Sequence, residues 1–190
     1  ITNKFAAKAL GLPDDVKITP DVLKNIRSTA GQAYEDVKGT GTIIAGQAYD
    51  DALNKIAAPY LQAAKGFPGA TPSPVIDLVE SLRTKSFDAG SAVEKLKELR
   101  SAADDAFRTG NTDIARANKA AAKVLEDTIE QHLQSTGKTG MLQGVKDARQ
   151  LIAKSYTVEK ALNQATGTVD ATKLAAQLSK GKPLTGDLKQ

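Results

Sequence analysis

The sequence contains no cysteine and no tryptophan, and it has one histidine and one methionine in 190 residues. Without cysteine the chain forms no disulfide bond, no thiolate metal site and no cysteine nucleophile. A single histidine falls short of the ligand set of a structural zinc site. His132 has Asp127 and Glu130 near it in sequence, but neither gives the Glu-x-x-His spacing of a metal site, so we interpret the histidine as a surface residue in the last turn of a helix. The sequence therefore predicts no metal and no cofactor.

Aromatic residues and long apolar runs are equally scarce. Aromatics make up 4% of the chain, so a core must be built from alanine, leucine, isoleucine and valine. These small side chains bury little area each, which favours long helices packed along their length. No apolar run approaches the ~20 residues that span a bilayer, and the first residues lack a secretory apolar segment. The chain starts without methionine and stops abruptly at Gln190, so we expect a longer protein.

Two glycine-containing motifs resemble nucleotide-binding loops and fail the full pattern. Residues 137–139, Gly-Lys-Thr, would need a glycine five residues earlier, where His132 stands. Residues 39–41, Gly-Thr-Gly, would need a third glycine at Ile44. The sequence consequently predicts a domain without enzymatic activity.

Helical periodicity is clearest in the centre of the chain. Between about residues 88 and 109, apolar residues recur at spacings of four and three, which is typical of a heptad-like helix stripe. Two further helices are predicted at about 113–135 and 141–163, separated by short turns that contain glycine. Short turns between helices of similar length favour an antiparallel stack. The stripe consists of Ala92, Leu96, Leu99, Ala103 and Ala106.

Caps and breaks divide the rest of the chain. Thr19-Pro20 and Ser73-Pro74 are typical helix starts, and Asp170 should cap a last helix at 171–179. Pro59 should kink or end an N-terminal helix that runs to about Ala57. We predict an all-α fold, an antiparallel helical bundle with a looser N-terminal helical subdomain. Its parts are the subdomain at 1–66, a Pro/Gly linker at 67–74, and a bundle at 75–190 with three long helices at about 88–163 and a short C-terminal helix.

Two local patterns have no clear place in a helix bundle. Gly-Gln-Ala-Tyr-Glu-Asp at 31–36 recurs as Gly-Gln-Ala-Tyr-Asp-Asp at 46–51. Two copies are too few for a solenoid, so a local duplication is the simpler interpretation and a paired binding motif the alternative. Residues 40–45 and 166–169 have some β-branched character, but each is too short for more than an edge pairing.

Positive charge is concentrated at the C-terminal end. Residues 138–190 contain 9 basic and 4 acidic residues. Such a region could contact nucleic acid or an acidic partner, although a solvated face is the simpler interpretation. The candidate contacts are lysines that could bind phosphate without sequence specificity. They are Lys173, Lys180, Lys182 and Lys189.

Several stretches together resemble a group of large, mostly uncharacterised proteins encoded by tailed bacteriophages and prophages. Three of them are Ala-Leu-Gly-Leu-Pro at 9–13, Ala-Gly-Gln-Ala-Tyr-Glu-Asp-Val-Lys at 30–38 and Ser-Phe-Asp-Ala-Gly-Ser-Ala-Val at 86–93. Two more are Ala-Asp-Asp-Ala-Phe-Arg-Thr-Gly-Asn-Thr at 103–112 and Ala-Arg-Gln-Leu-Ile-Ala-Lys-Ser-Tyr at 148–156. These motifs contain caps, turns and packing stripes, so the resemblance transfers no catalytic residue.

The resemblance implies a virion-associated protein that is internal, ejected, or part of the tail or neck. It would be made in the bacterial host cytoplasm and would bind other virion proteins or copies of itself. Two alternatives stay open: a helical module that accompanies a catalytic segment elsewhere in a longer phage protein, and a non-specific DNA-contacting domain used in packaging or ejection.

Overall fold

The computed structural model describes residues 1–163 and 165–180, and the predicted all-α fold is confirmed. Two antiparallel pairs of very short strands accompany the helices: β1 (Thr42–Ile44) with β2 (Ser86–Asp88), and β3 (Leu162–Asn163) with β4 (Thr168–Val169). Two 3-10 segments lie at Gln32–Tyr34 and Asp36–Thr40. The helices of the described residues are α1 (Thr2–Ala9), α2 (Pro20–Gly31), α3 (Gly46–Gly66), α4 (Pro74–Ser81), α5 (Ala89–Arg108), α6 (Thr112–Ser135), α7 (Thr139–Ala161) and α8 (Ala171–Ser179).

Side-chain caps fix the predicted helix starts. The Thr19 hydroxyl accepts the Val22 N–H at 3.2 Å, and the Ser73 hydroxyl accepts the Val75 N–H at the same distance. The Asp170 carboxylate accepts two backbone N–H groups of α8. Each cap satisfies a donor that the first helical turn would otherwise leave unpaired.

Glycines end α5 and α6 at Gly110 and Gly137, where φ is +78° and +73°. At the end of α6 the Lys138 N–H donates to the Leu133 carbonyl at 2.9 Å, which closes a Schellman turn. A side chain at Gly137 would strain this left-handed conformation. The Gly-Lys-Thr motif at 137–139 therefore has a structural explanation as a helix stop.

One N-terminal helix ends later than predicted. The prediction that α3 stops near Ala57 is wrong, because the helix continues through Pro59 to Gly66. Pro59 has no N–H to donate to the carbonyl of Lys55. Both residues are exposed, so water can donate a hydrogen bond to that carbonyl instead. In contrast, α2 ends at Gly31 and passes into the 3-10 segments.

The repeated six-residue pattern adopts two different structures. Its first copy ends α2 and enters a 3-10 turn, whereas its second copy begins α3. The tyrosines Tyr34 and Tyr49 are nevertheless both buried. The Tyr49 hydroxyl donates to the Leu82 carbonyl at 2.6 Å, which joins the start of α3 to the end of α4.

The chain divides into two compact units. We call residues 35–142 the central unit, and residues 1–34 together with 143–190 the terminal unit. This division does not follow the predicted boundaries, since the predicted linker at 67–74 joins α3 and α4 within the central unit. Both of those helices pack on α6, so they belong to one core.

The most extensive helix–helix contact of the central unit is the antiparallel hairpin of α5 and α6. The predicted stripe of α5 is buried from Ala92 to Ala103 and partly buried at Ala106, and Ile129 of α6 is fully buried. Strand β1 connects the 3-10 segment at Asp36–Thr40 to α3 and pairs with β2. Its middle residue, Ile43, is fully buried. Further buried residues of this core are Val37, Leu53, Val75, Val79, Val93, Leu99, Leu125 and Leu133.

The core of the terminal unit joins the two ends of the chain. Asn3 fastens α1 to the β4 region, because its amide donates to the Gly167 carbonyl at 3.1 Å and its carbonyl accepts the Val169 N–H at 2.7 Å. Alanines supply many of the contacts, which lets the elements approach closely. The buried residues are Ala6, Ala7, Ala9, Leu10, Ile18, Leu23, Val158, Ala161, Leu162, Val169 and Leu174.

Candidate functional site

The predicted basic contacts lie at the C-terminal end of the terminal unit. Lys173 and Lys180 are exposed, in α8 and directly after it, and Lys182 and Lys189 lie outside the described residues. Seven residues separate the first two, so their side chains leave α8 on similar sides. By sequence, the terminal unit contains 13 basic and 7 acidic residues, and the central unit 13 and 15. The net charges of +6 and −2 make the terminal unit the basic part of the chain.

His132 is buried, so the prediction of a surface histidine is wrong. Its side chain keeps 8% exposure, and Nε2 lies 3.0 Å from the hydroxyl oxygen of Thr40. That hydroxyl donates its own proton to the Val37 carbonyl at 2.7 Å, so the histidine N–H is the donor to Thr40. Burial, and to a smaller extent the charge of Lys138, lower the pKa of His132. The side chain ties α6 to the 3-10 segment at Asp36–Thr40.

Four charged residues, three of them exposed and Lys38 partly buried, connect the same segment to α5. Lys38 contacts Glu35 at 2.7 Å and also pairs with Glu94, while Lys97 pairs with both carboxylates. Hydrogen bonds to the lysines hold the pKa values of Glu35 and Glu94 below their usual range, and these carboxylates raise the pKa of Lys38. The four charges neutralise one another, which is typical of a structural ion-pair network.

A polar depression of about 460 Å³ lies beside the first half of α3. The guanidinium of Arg83 reaches Asn54 at 2.8 Å and Glu80 at 2.9 Å, so other side chains of the protein already use its donors. Burial raises the pKa of nearby Tyr49 to about 12, which keeps its hydroxyl protonated at neutral pH. The depression contains no nucleophile next to a general base.

An apolar groove of about 450 Å³ occupies the terminal unit. Its walls come from the α1–α2 loop, α2 and α7, including Leu12, Val16, Ile26 and Leu151. Asn25 and Thr29 are the polar side chains on its rim. The groove could accept apolar atoms, but it lacks the converging polar groups that orient a specific small ligand.

Residues 58–72 form a surface that we call the α3 tip. It contains the last nine residues of α3 and the turn that follows, and every side chain in it is exposed except Tyr60, which is partly buried. Leu61 is 43% exposed and Phe67 76% exposed. The buried residues of α3 are Tyr49, Leu53 and Ala57, so the packing of this helix on its own unit becomes sparse after Ala57. The helix therefore extends past its intramolecular support and carries apolar side chains into solvent.

Within residues 1–163 and 165–180, no three histidine, aspartate or glutamate side chains are grouped closely enough to hold a metal ion. The same residues include no helix that is both long and apolar enough to cross a bilayer. Glu126 is 2.7 Å from Arg100 in a partly buried ion pair between α6 and α5. Comparison of this chain with protein-family models, curated proteins and solved structures finds no match.

Proposed function

We propose that this chain is a non-enzymatic structural or interaction domain of a phage virion-associated protein, either internal, ejected, or part of the tail or neck. The α3 tip is the observation that supports an interaction role. Nine helical residues, including Leu61, extend past the core of the central unit, and Phe67 follows them in solvent. Exposed apolar side chains at a helix end that projects past its own core favour a binding role for that end.

A helix end without tertiary contacts is only marginally stable. A partner that packs on the tip would bury Leu61 and Phe67 and would offset the entropy lost by ordering it. The setting in a phage particle comes from the resemblance of the segments at 30–38, 86–93 and 148–156 to tailed-phage proteins.

The test is to locate the protein in particles. Particles induced from the host that encodes the gene are purified on a density gradient, and their proteins are quantified by mass spectrometry. We expect a fixed copy number per particle that persists through repeated purification, with an abundant host enzyme as the control for contamination. A protein that is expressed but falls to the level of that enzyme in the purified particles would contradict the proposal.

Contact with DNA is a second candidate function, supported by the charge difference between the units. With a net charge of +6, the terminal unit presents exposed lysines that include Lys173 and Lys180. Phosphate contacts of this kind are insensitive to sequence and weaken steeply with salt.

The test compares two double variants of equal charge on a DNA column. Lys173→Gln/Lys180→Gln should elute at clearly lower salt than the unmodified protein. Lys85→Gln/Lys123→Gln removes two exposed lysines of the central unit and should elute close to it. Equal behaviour of the two variants would show that retention depends only on total charge.

A further inference from the structure

The exposed face of α3 carries opposite charges at equal distances from a small central residue. Asp51, Ala58 and Lys65 are spaced by seven residues, so they lie on one side of the helix, within about 40° of each other. All three side chains are exposed. The two charged residues are roughly 21 Å apart along the axis, with Ala58 midway. Gln47 donates to one oxygen of Asp51 at 2.8 Å, which orients the carboxylate on this face.

From this arrangement we propose that α3 pairs in antiparallel orientation with α3 of a second copy of this chain, and that the two helices cross at Ala58. In that orientation Asp51 of each copy faces Lys65 of the other, so the pair gains two ion pairs by symmetry. A parallel pairing would place Asp51 against Asp51 and Lys65 against Lys65. The charge pattern thus favours one orientation and one register.

The uncharged positions fit the same register. Ala58 faces Ala58, and its small side chain lets the two helices approach closely. Leu61 faces Lys55 of the second copy, whose aliphatic stem can cover the leucine while its ammonium group stays in water. On the flank, Asn54 faces Gln62; the Asn54 oxygen accepts from Arg83, so its NH2 group is the part that would donate to the Gln62 amide oxygen.

This pairing also gives the α3 tip its missing support. The tip of one copy would lie along the outer face of the first half of the other α3, the half that packs on its own core. Each unsupported helix end would then rest on a supported one. The inference names the partner of the proposed interaction domain and in that sense rests on the proposed function. A single pair of helices buries a small interface, so we expect a reversible dimer that dissociates on dilution.

The first experiment uses charge reversal and mixing, read by sedimentation velocity over a range of concentrations. The unmodified 190-residue chain should dimerise. Asp51→Lys and Lys65→Asp should each weaken dimerisation by about tenfold or more, since each places like charges together twice. An equimolar mixture of the two variants should recover the dimer, because both charged contacts of the mixed pair then join opposite charges. Circular dichroism checks that both variants keep their helices.

The second experiment exploits the absence of cysteine. Ala58→Cys places the only thiol of the chain at the twofold crossing and should form a disulfide-linked dimer rapidly under mild oxidation. Ala102→Cys is the matched control, an exposed alanine of α5, and should link slowly.

A chain that stays monomeric at every concentration would overturn the inference. So would a dimer that both reversals leave intact, a mixture that fails to recover it, or equal linking rates of the two thiols. A monomeric chain that is still found in particles would refute only this pairing. A dimer that never enters particles would refute only the proposed function.

Discussion

The two units are built from the same kind of helix but are connected in opposite ways. The central unit is one continuous stretch, and its main contact joins α5 to α6 across a short turn at Gly110. The terminal unit brings residues 1–34 to residues 143–180, so its contacts span most of the chain. Asn3 bonds to residues 164 and 166 positions away, and Arg27 bonds to a residue 132 positions away.

The main helix–helix contact of the central unit is local in sequence, although Thr40 and His132 also join positions 92 residues apart, whereas the terminal unit depends on closing a very long loop. Contacts between neighbours in sequence cost little chain entropy, and contacts between the chain ends cost more. The terminal unit offsets that cost with specific polar ties in addition to apolar packing. Arg27 contacts Glu159 at 2.8 Å and lies over the ring of Tyr156 at 4.3 Å.

The largest effect should come from removing residues 1–34. We expect a fragment of residues 35–190 to retain the central unit and to lose the fold of the terminal unit, because α7 and α8 then have no α1 or α2 to pack against. Hydrogen exchange should show protected amides in α5 and α6 and unprotected amides beyond residue 143. A fragment of residues 35–142 is the matched control and should unfold cooperatively. Strong protection of residues 145–161 without the N-terminal segment would break the comparison.

Truncating one buried leucine in each unit should separate their stabilities. Leu96→Ala in the central unit and Leu23→Ala in the terminal unit should each cost about 2–5 kcal/mol, because both side chains are at most 1% exposed. Each variant should loosen only its own unit in denaturant-dependent hydrogen exchange. Val37→Ala should cost less than Leu96→Ala, since it removes fewer buried atoms. Leu61→Ala, on the exposed tip, should change stability by no more than about 0.5 kcal/mol.

Substitutions of Arg27 test the polar contacts between α2 and α7 in the terminal unit. Arg27→Ala should cost about 1–2 kcal/mol there, because it removes a partly buried ion pair and a cation–π contact. Arg27→Lys should recover only part of that loss, since an ammonium group lacks the planar fork that stacks on Tyr156. Denaturant unfolding of both variants measures the difference. Full recovery by lysine would show that only the charge matters.

The pH dependence of stability should differ between the units. The folded pKa of His132 is lowered, so the unfolded chain binds more protons at mildly acidic pH. Its contribution to stability is fully present above the unfolded pKa of about 6.5 and is lost as the pH falls through the folded value. The central unit should therefore weaken below about pH 6.5, whereas the terminal unit contains no histidine and should not change there.

Denaturant unfolding monitored between about pH 7.5 and about pH 5 checks this difference, and His132→Gln should remove the pH dependence of the central unit. A central unit whose stability is level throughout this range would contradict a buried neutral histidine.

The smallest effect should come from the exposed ion-pair network. Glu94→Gln removes one member of the group that joins Lys38 and Lys97, all exposed or nearly so. We expect a barely measurable change in the unfolding midpoint of the central unit, and high salt should abolish even that. Arg100→Gln, which breaks the more buried pair with Glu126, should have a clearly larger effect. The reverse order would show that the segment at Asp36–Thr40 depends on its charges.

The all-α class and most helix boundaries follow from local sequence signals. Thr19, Ser73 and Asp170 cap helices by bonds within the first turn, and Gly110 and Gly137 end helices by bonds within the last, so these signals act over a few residues. The tertiary structure decided which helix faces meet. It placed α3 with α5 and α6 across the predicted boundary at 67–74, and it gave two copies of one six-residue pattern different structures.

The burial of His132 was only partly predictable from the sequence. Leu125, Ile129 and His132 follow one helical stripe at spacings of four and three, so the position could have been assigned to the buried face, but its partner Thr40 lies 92 residues away. The exposure of the α3 tip could likewise not be predicted from the sequence. Periodicity shows that a helix has an apolar face, whereas the length of the helices that pack on it decides where that face is left in water, because burial depends on contacts between distant parts of the chain.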